Sequence, residues 1–125
     1  VKGRVGHAKT FRLPLGPEAL AVIELAKCHE WNGFLFPNSK GKALDRMALI
    51  TLMKGVGTKA RPHGFRSAVR TWISETTDTA EEVAEACIGH FEANKVVKAY
   101  KRTDFFEKRV PIMTEWEKYV ISGKS

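Results

Sequence analysis

The chain has 125 residues, 43% of them hydrophobic, which is enough for one compact domain with a core and too little for two. Its 21 lysines and arginines outnumber 14 acidic residues, and the net charge of +7 favours a polyanionic partner without identifying one. Because no long apolar run and no signal-peptide pattern occur, we expect a cytoplasmic protein that does not cross a membrane.

Residues 1–15 are predicted to form a small β hairpin. Apolar residues alternate around Gly3 and Gly6, and Phe11, Leu13 and Leu15 fall on one face. The basic residues of this segment then point outward: Lys2, Arg4, Lys9 and Arg12. Because the chain opens on Val1 in what looks like the middle of a strand, we expect it to be a piece of a longer protein.

Two helices and a turn are predicted next. Pro17 suits a first helical position, and the apolar spacing predicts a helix to about Glu30. Residues 34–36 are expected to be briefly extended, with a turn over PNSKGK. A second helix is expected from Leu44 through Met53, since glycines interrupt the spacing at positions 55 and 57.

The second half of the chain is predicted to be helical throughout. Pro62 opens a third helix with a buried stripe, and a capping box of Thr79 with Glu82 opens a fourth that ends at Gly89. A short helix over 95–102 and a last one from Asp104, kinked by its proline, complete the chain. The residues expected to pack are Phe65, Val69, Trp72 and Ile73 in the third helix and Phe105, Ile112, Trp116 and Tyr119 in the last. The predicted fold is mainly α with a small N-terminal β hairpin, in a single domain over 1–125.

Four residues in a fixed order carry the candidate chemistry: His63 and Arg66 in PHGFR, His90 in CIGH, and Tyr100 in KAYKR. A guanidinium and two imidazoles can neutralise an oxyanion while a phenol supplies the nucleophile. This combination could attack a phosphodiester without a metal, and we expect DNA as the substrate. Each residue alone is more often an ordinary surface or core residue, so the interpretation depends on their joint order.

No cofactor or metal site is predicted. Cys28 and Cys87 lie far apart in the sequence, and neither belongs to a CxxC or Cys/His pattern. Zinc and disulfide frameworks are therefore poorly supported, and a reducing compartment fits. His7 and His29 have no supporting pattern and are expected at the surface.

From PHGFRSAVRTWISE through EEVAEACIGH to VVKAYKRTDFFEKR, the chain resembles the C-terminal catalytic domain of tyrosine recombinases, closest in type to prophage and genomic-island integrases. The likeness rests on an HxxR box, a Gly-His after a helix and a Tyr ten positions later, with LPL and FPN upstream, and it covers essentially the whole chain. It implies the fold of the DNA breaking-rejoining enzymes, truncated at its N-terminus and without the family's N-terminal DNA-binding domains.

The resemblance implies a role for each residue of the motif. Tyr100 is the nucleophile that leaves a 3′ phosphotyrosine, and Arg66 holds a non-bridging phosphate oxygen. His63 hydrogen-bonds the phosphate and is a candidate to accept the tyrosine proton, while His90 donates to a second oxygen. The general acid is a hairpin lysine, for which Lys2 is favoured and Lys9 is the alternative.

The family also has an earlier arginine that the 125 residues do not contain. Because losing one oxyanion donor costs about a hundredfold or more in rate, we expect this piece to be weak or inactive alone. The implied partner is double-stranded DNA at attachment sites, bound by a homotetramer of the full-length protein, with accessory DNA-bending proteins as possible partners. The basic residues expected to line the DNA are Lys9, Lys59, Arg61, Arg70 and Arg102.

Three other functions stay open at this point. A type IB topoisomerase shares the fold core and the 3′ linkage but relaxes supercoils. A non-catalytic DNA-binding module would keep the basic surface without the chemistry. A helical interaction domain with no DNA role would require the order of the four residues to be accidental.

Overall fold

The computed structural model describes residues 10–90 and 103–123. Within these ranges the chain forms α1 (Pro17–Lys27), α2 (Ala48–Gly55), α3 (Pro62–Thr76), α4 (Glu81–Cys87) and α5 (Phe106–Ser122). Strand pairing in the described part is limited to two isolated bridges, Trp31 with Phe34 and Pro37 with Ala43. The prediction of a mainly helical fold is therefore confirmed. None of the described helices combines the length and apolar character that a membrane span needs.

The chain divides into two compact units, and the division falls within α3. The middle unit is Gly16–Ala68. The core unit is formed by the described residues before and after it, 10–15, 69–90 and 103–123. The single domain expected over 1–125 stays a prediction.

The core unit is built on the second half of α3. Val69, Trp72 and Ile73 follow one another at helical spacing and are buried, and Ile73 is only 1% exposed. Ala84 and Cys87 of α4 close the same cluster. The sequence correctly predicted these three positions of α3 as buried.

Helix α5 packs against this cluster through its aromatic residues. The Trp116 ring meets Trp72 edge-on with centroids 5.4 Å apart, and Tyr119 stacks on Trp72 at 5.8 Å. Ile112 and Met113 pack on the same cluster. The sequence predicted Trp116 and Tyr119 as packing residues without deciding between this chain and another protomer, and the structure packs both on Trp72 of the same chain.

A buried arginine joins the start of α5 to the segment before α1. Arg109 is 0% exposed, and its guanidinium donates to the backbone carbonyls of Asp104 at 2.9 Å and of Arg12 at 2.8 Å. The same cation lies 5.2 Å from the centre of the Phe11 ring. Outside the buried zone, Arg12 forms a bidentate ion pair with the Asp104 carboxylate at 2.8 and 2.7 Å. These contacts fix residues 11–12 against 104–109 without any strand pairing.

The middle unit is organised by local turns. Asn38 holds the turn after the bridge at Pro37, because its Oδ1 accepts the backbone N–H groups of Lys40 at 2.9 Å and Lys42 at 3.0 Å. Gly41 has φ +71°, and a Cβ there would lie 2.8 Å from the Trp31 ring. The turn predicted over PNSKGK is confirmed, whereas residues 35–36 form a bend in place of the extended piece expected over 34–36.

The apolar faces of the middle unit are not buried. Neither α1 nor α2 has a buried residue. Leu52 is 62% exposed, and Phe65, which was expected in the buried stripe of α3, is 60% exposed. That expectation was wrong because helical spacing of apolar residues predicts a helix but not the element that covers it.

Several predicted boundaries also differ from the structure. Helix α1 ends at Lys27 because the next N–H groups, from Cys28 to Glu30, bond three residues back and tighten the chain into turns. Helix α2 begins at Ala48, since the Asp45 side chain accepts the Met47 N–H at 2.8 Å and holds a turn there.

The predicted capping box of α4 does not form. The N-cap is Ala80, which has no side-chain acceptor, and the Thr79 hydroxyl pairs with the Thr77 hydroxyl at 2.7 Å. Helix α5 starts at Phe106 because Phe105 has a left-handed backbone, with φ 56°. The proline at position 111 lies inside this helix, which continues to Ser122.

The predicted N-terminal hairpin is not seen. Residues 10–15 are described and carry no strand, while residues 1–9 lie outside the described ranges. The alternation that suggested a strand has another cause in the described part, because Phe11 and Arg12 meet Arg109 and Asp104 rather than a paired strand. The short helix predicted over 95–102 also lies outside the described residues.

Candidate active site

His90 is positioned by the way α4 ends. Gly89 adopts φ +75°, and its N–H donates to the Ala86 carbonyl at 3.0 Å. The His90 N–H donates to the Glu85 carbonyl at 2.9 Å. This pair of bonds is the Schellman motif, in which a left-handed glycine ends a helix. The Gly-His order of the sequence therefore fixes the backbone of His90 on the last turn of α4.

The side chain of His90 is held by the same glutamate. Its Nδ1 lies 2.9 Å from Oε2 of Glu85, while the ring is 61% exposed. The other carboxylate oxygen, Oε1, accepts from Nε of Arg70 at 2.7 Å. The Arg70 bond, followed by the His90 bond, lowers the pKa of the Glu85 carboxyl from its ordinary value. Glu85 is thus a carboxylate shared between a guanidinium and an imidazole.

Arg70 is engaged on every side of its guanidinium by groups of α3 and α4. Nη2 contacts Oε1 of Glu81 at 2.5 Å, and Nη1 donates to the hydroxyl of Ser74. The bonds to Glu85 and Glu81 raise the Arg70 pKa. The side chain is 19% exposed. The sequence placed Arg70 among the residues that line DNA, but its guanidinium is occupied within the protein.

His63 and Arg66 lie on the first turns of α3, in the middle unit. They are three positions apart and therefore neighbours on the helix surface, as predicted. His63 is exposed and Arg66 is half-buried. Within the described ranges, no hydrogen bond or ion pair joins either side chain to another residue. As far as residues 10–90 and 103–123 are concerned, both side chains are open to a ligand.

The chain just before α3 presents two more of the predicted basic residues. Lys59 and Arg61 are exposed. The Arg61 guanidinium folds back on the chain, donating from Nη1 to the carbonyls of Lys59 at 3.1 Å and Ala60 at 3.0 Å. Among the described residues, the other guanidinium nitrogens of Arg61 have no hydrogen-bond partner.

The remaining predicted site residues lie outside the described ranges: Tyr100, Lys2, Lys9 and Arg102. Their assigned roles stay predictions. Residues 103 and 104, which directly follow Arg102, are described: the Thr103 hydroxyl accepts the Phe105 N–H at 3.0 Å, and the Asp104 carbonyl accepts from Arg109 at 2.9 Å.

Sequence analysis missed the residues that support the predicted ones. Glu85 precedes His90 by five positions, which is the spacing that a Schellman motif brings together, and this was the available signal. Asp104 and Arg109 gave no comparable signal, since an acidic and a basic residue near a helix start are common on surfaces.

The described residues contain no cluster of potential metal ligands. No group of three histidine, cysteine or acidic side chains there is close enough to hold an ion. Both cysteines are free thiols, Cys28 exposed and Cys87 buried, and burial raises the pKa of the Cys87 thiol.

The chain is similar to a prophage integrase over nearly its whole length. It is 30% identical over 127 residues to prophage integrase IntA of Escherichia coli (strain K12), an alignment that covers 98% of this chain and 30% of the integrase. The chain thus spans about three tenths of the length of that relative. No protein family model and no solved structure matches it. The likeness that the HxxR, Gly-His and Tyr motifs suggested is therefore supported at the level of an integrase-like sequence.

Proposed function

We propose that this chain is the C-terminal catalytic part of a tyrosine-type site-specific DNA recombinase. The observation that carries the proposal is the similarity to a prophage integrase, in an alignment that covers 98% of the chain and so spans the positions of all four motif residues. The net charge of +7 agrees with a DNA partner, since basic residues release counterions from the phosphate backbone.

The proposed reaction breaks and rejoins one DNA strand at a time. The Tyr100 oxygen attacks the scissile phosphorus, its proton passes to His63, and the bond from phosphorus to the 5′ oxygen breaks. The departing oxygen takes a proton from Lys2, or from Lys9 if the alternative assignment holds. A 5′ hydroxyl from a second strand then reverses these steps, so the phosphotyrosine keeps the bond energy for rejoining.

In the proposed reaction, Arg66 and His90 bind the phosphate oxygens and do not act on the Tyr100 nucleophile. Their positive charges and N–H groups stabilise the negative charge that grows on the non-bridging oxygens in the transition state. The side chains of exposed His63 and half-buried Arg66, which bond to no residue in the described part of the chain, agree with this use. The first turn of α3, where His63 lies, also carries the positive end of a helix of 15 residues, which favours an anion.

Covalent trapping tests the proposal. The missing family arginine is first restored by fusing the corresponding upstream segment of a tyrosine recombinase to residue 1. Incubation with a nicked suicide DNA substrate should then yield a protein–DNA adduct that survives denaturation. Tyr100→Phe should abolish the adduct, and His29→Ala, which removes an exposed histidine outside the motif, should leave it unchanged. An adduct that persists in Tyr100→Phe contradicts the proposal.

The identity of the general acid can be decided with a sulfur leaving group. A 5′ bridging phosphorothiolate releases a thiolate, which leaves without protonation because a thiol pKa of about 8.5 is far below that of an alcohol. Lys2→Ala should therefore be slow on the ordinary substrate and restored on the sulfur substrate, and Lys9→Ala should be near wild type on both. The opposite pattern assigns the role to Lys9.

The same preparations separate the other candidate functions. Relaxation of supercoiled DNA without a defined site would indicate a topoisomerase. Salt-dependent binding without an adduct, even with the arginine restored, would indicate a non-catalytic binding module. Assembly as a homotetramer on paired attachment sites, with DNA-bending partners, belongs to the proposal for the full-length protein.

A further inference from the structure

We propose that Glu85 is a positioning residue that keeps a proton on Nδ1 of His90 and leaves Nε2 as the nitrogen that meets the substrate. The inference deepens the proposed function, since it concerns how His90 presents itself to a phosphate oxygen. It goes beyond the motif because neither Glu85 nor Arg70 belongs to the four residues that defined it.

Within the described ranges, the residue bonded to the His90 ring is Glu85. Glu85 accepts the His90 backbone N–H at 2.9 Å through its carbonyl and lies 2.9 Å from Nδ1 through Oε2. An ionised carboxylate can only accept hydrogen bonds. The nitrogen that faces it must therefore carry a proton, which assigns the Nδ1–H form of the neutral ring. The low pKa of Glu85 agrees, because that carboxylate stays ionised.

Arg70 keeps the carboxylate in place. Its Nε donates to Oε1 of Glu85 at 2.7 Å, while its other nitrogens are fixed by Glu81 and Ser74. A guanidinium bound at three points is a rigid donor, and it leaves Oε2 of Glu85 for His90. The function of Arg70 in this arrangement is to orient Glu85, while its predicted DNA contact stays a prediction.

The bond to Glu85 restricts the protonation state in which His90 can donate to a phosphate oxygen. With Nδ1–H on Glu85, the neutral ring offers only a lone pair at Nε2, and a lone pair cannot donate to a phosphate oxygen. Donation requires a second proton, on Nε2. His90 therefore acts on the phosphate as an imidazolium with both N–H groups in use, one on Glu85 and one on the substrate.

Nitrogen NMR of the protein alone tests the positioning. In the 125-residue chain labelled with 15N-histidine, the neutral His90 ring should show its proton on Nδ1, and Glu85→Ala should move that proton to Nε2. The matched control is Glu75→Ala, which removes an exposed carboxylate of α3 outside this cluster and should leave the His90 signals unchanged. A wild-type ring protonated on Nε2, or a Glu85→Ala ring like wild type, overturns the inference. The wild-type spectrum decides the matter even if Glu85→Ala does not fold.

A double-mutant cycle tests whether Glu85 acts through His90. With the upstream arginine restored, Glu85→Ala should slow covalent trapping by about tenfold to a hundredfold, as expected for a misplaced group. Glu85→Ala with His90→Ala together should be no slower than His90→Ala alone. Losses that multiply show that Glu85 acts independently of His90, which overturns the inference. Absence of trapping in the wild type contradicts the proposed function and leaves the NMR result standing.

Discussion

The two units of this chain contain similar apolar sequences but use them differently. In the core unit, the apolar positions of α3, α4 and α5 meet in one cluster around Trp72 and Ile73. In the middle unit, α1 and α2 have the same helical spacing, but none of their residues is buried. The residues that the structure leaves most exposed there include Leu25, Leu52 and Val56.

This difference indicates which unit contributes most of the free energy of folding. Burial of apolar area is the main favourable contribution to folding, so the described part of the chain gains most of it in the core unit. The middle unit is held by hydrogen-bonded turns, such as the one that Asn38 organises. Substitutions of the same chemical kind should therefore have different effects in the two units.

The largest difference is expected for aliphatic truncation. Ile73→Ala removes a fully buried side chain and should lower the free energy of unfolding by about 2–5 kcal/mol. Leu52→Ala, at a position that is 62% exposed, should change it by about 0.5 kcal/mol or less. Urea unfolding of both variants measures the two effects. Equal losses would show that the middle unit has a core of its own.

Removal of the buried cation should have the next largest effect. Arg109→Met keeps most of the volume but leaves the carbonyls of Asp104 and Arg12 without their donor, at a cost of about 2–4 kcal/mol. Lys108→Met, at the exposed neighbouring position, should cost about 0.5 kcal/mol or less. Thermal unfolding of the pair provides the measurement, and a Lys108 effect as large as that of Arg109 would contradict the role given to the buried guanidinium.

Glycine substitution should have opposite signs in the two units. Gly89→Ala places a Cβ at φ +75° and should destabilise the protein by about 1–2 kcal/mol. Gly64 lies within α3 with open space at its Cβ position, so Gly64→Ala should stabilise by about 0.5–1 kcal/mol. The two melting temperatures should move in opposite directions. A shift of both in the same direction would show that backbone conformation does not decide the outcome.

The smallest effect is expected from the Arg12–Asp104 ion pair, through pH. The hydrogen bonds from Arg12 lower the pKa of Asp104 from 3.8 to about 2. Because the folded-state pKa is the lower one, the pair contributes stability above about pH 4 and loses it as the pH falls towards 2. Asp104→Asn and Arg12→Gln should each flatten this part of the stability curve. A wild-type curve that is already flat between pH 4 and 2 contradicts the assignment.

The sequence predicted the parts of the fold and site that depend on local pattern. Pro62 marked the start of α3, Gly89 marked the end of α4, and His63 and Arg66 fall on one helix as expected. The errors came from contacts between distant segments. Helical spacing could not show that Phe65 is exposed, because burial depends on elements elsewhere in the chain.

The supporting residues were missed for a related reason. The spacing of Glu85 from His90 was visible in the sequence, but the contact between their side chains depends on the helix end, and the contacts of Arg70 depend on how α3 and α4 place it between two carboxylates. A basic residue near an HxxR pair suggests a DNA contact from sequence alone. Its actual partners depend on which acidic residues of the neighbouring helix lie within reach.

The contacts of Arg109 also imply an order of events in folding. Its bond to Arg12 joins residues 97 positions apart, and the ion pair of Arg12 with Asp104 joins residues 92 apart. Contacts between such distant residues form late, because a long loop must close first. During synthesis on the ribosome, residues 10–15 emerge well before α5 and have no partner to dock on. We therefore expect the nascent chain to complete its core unit only after Arg109 has left the exit tunnel.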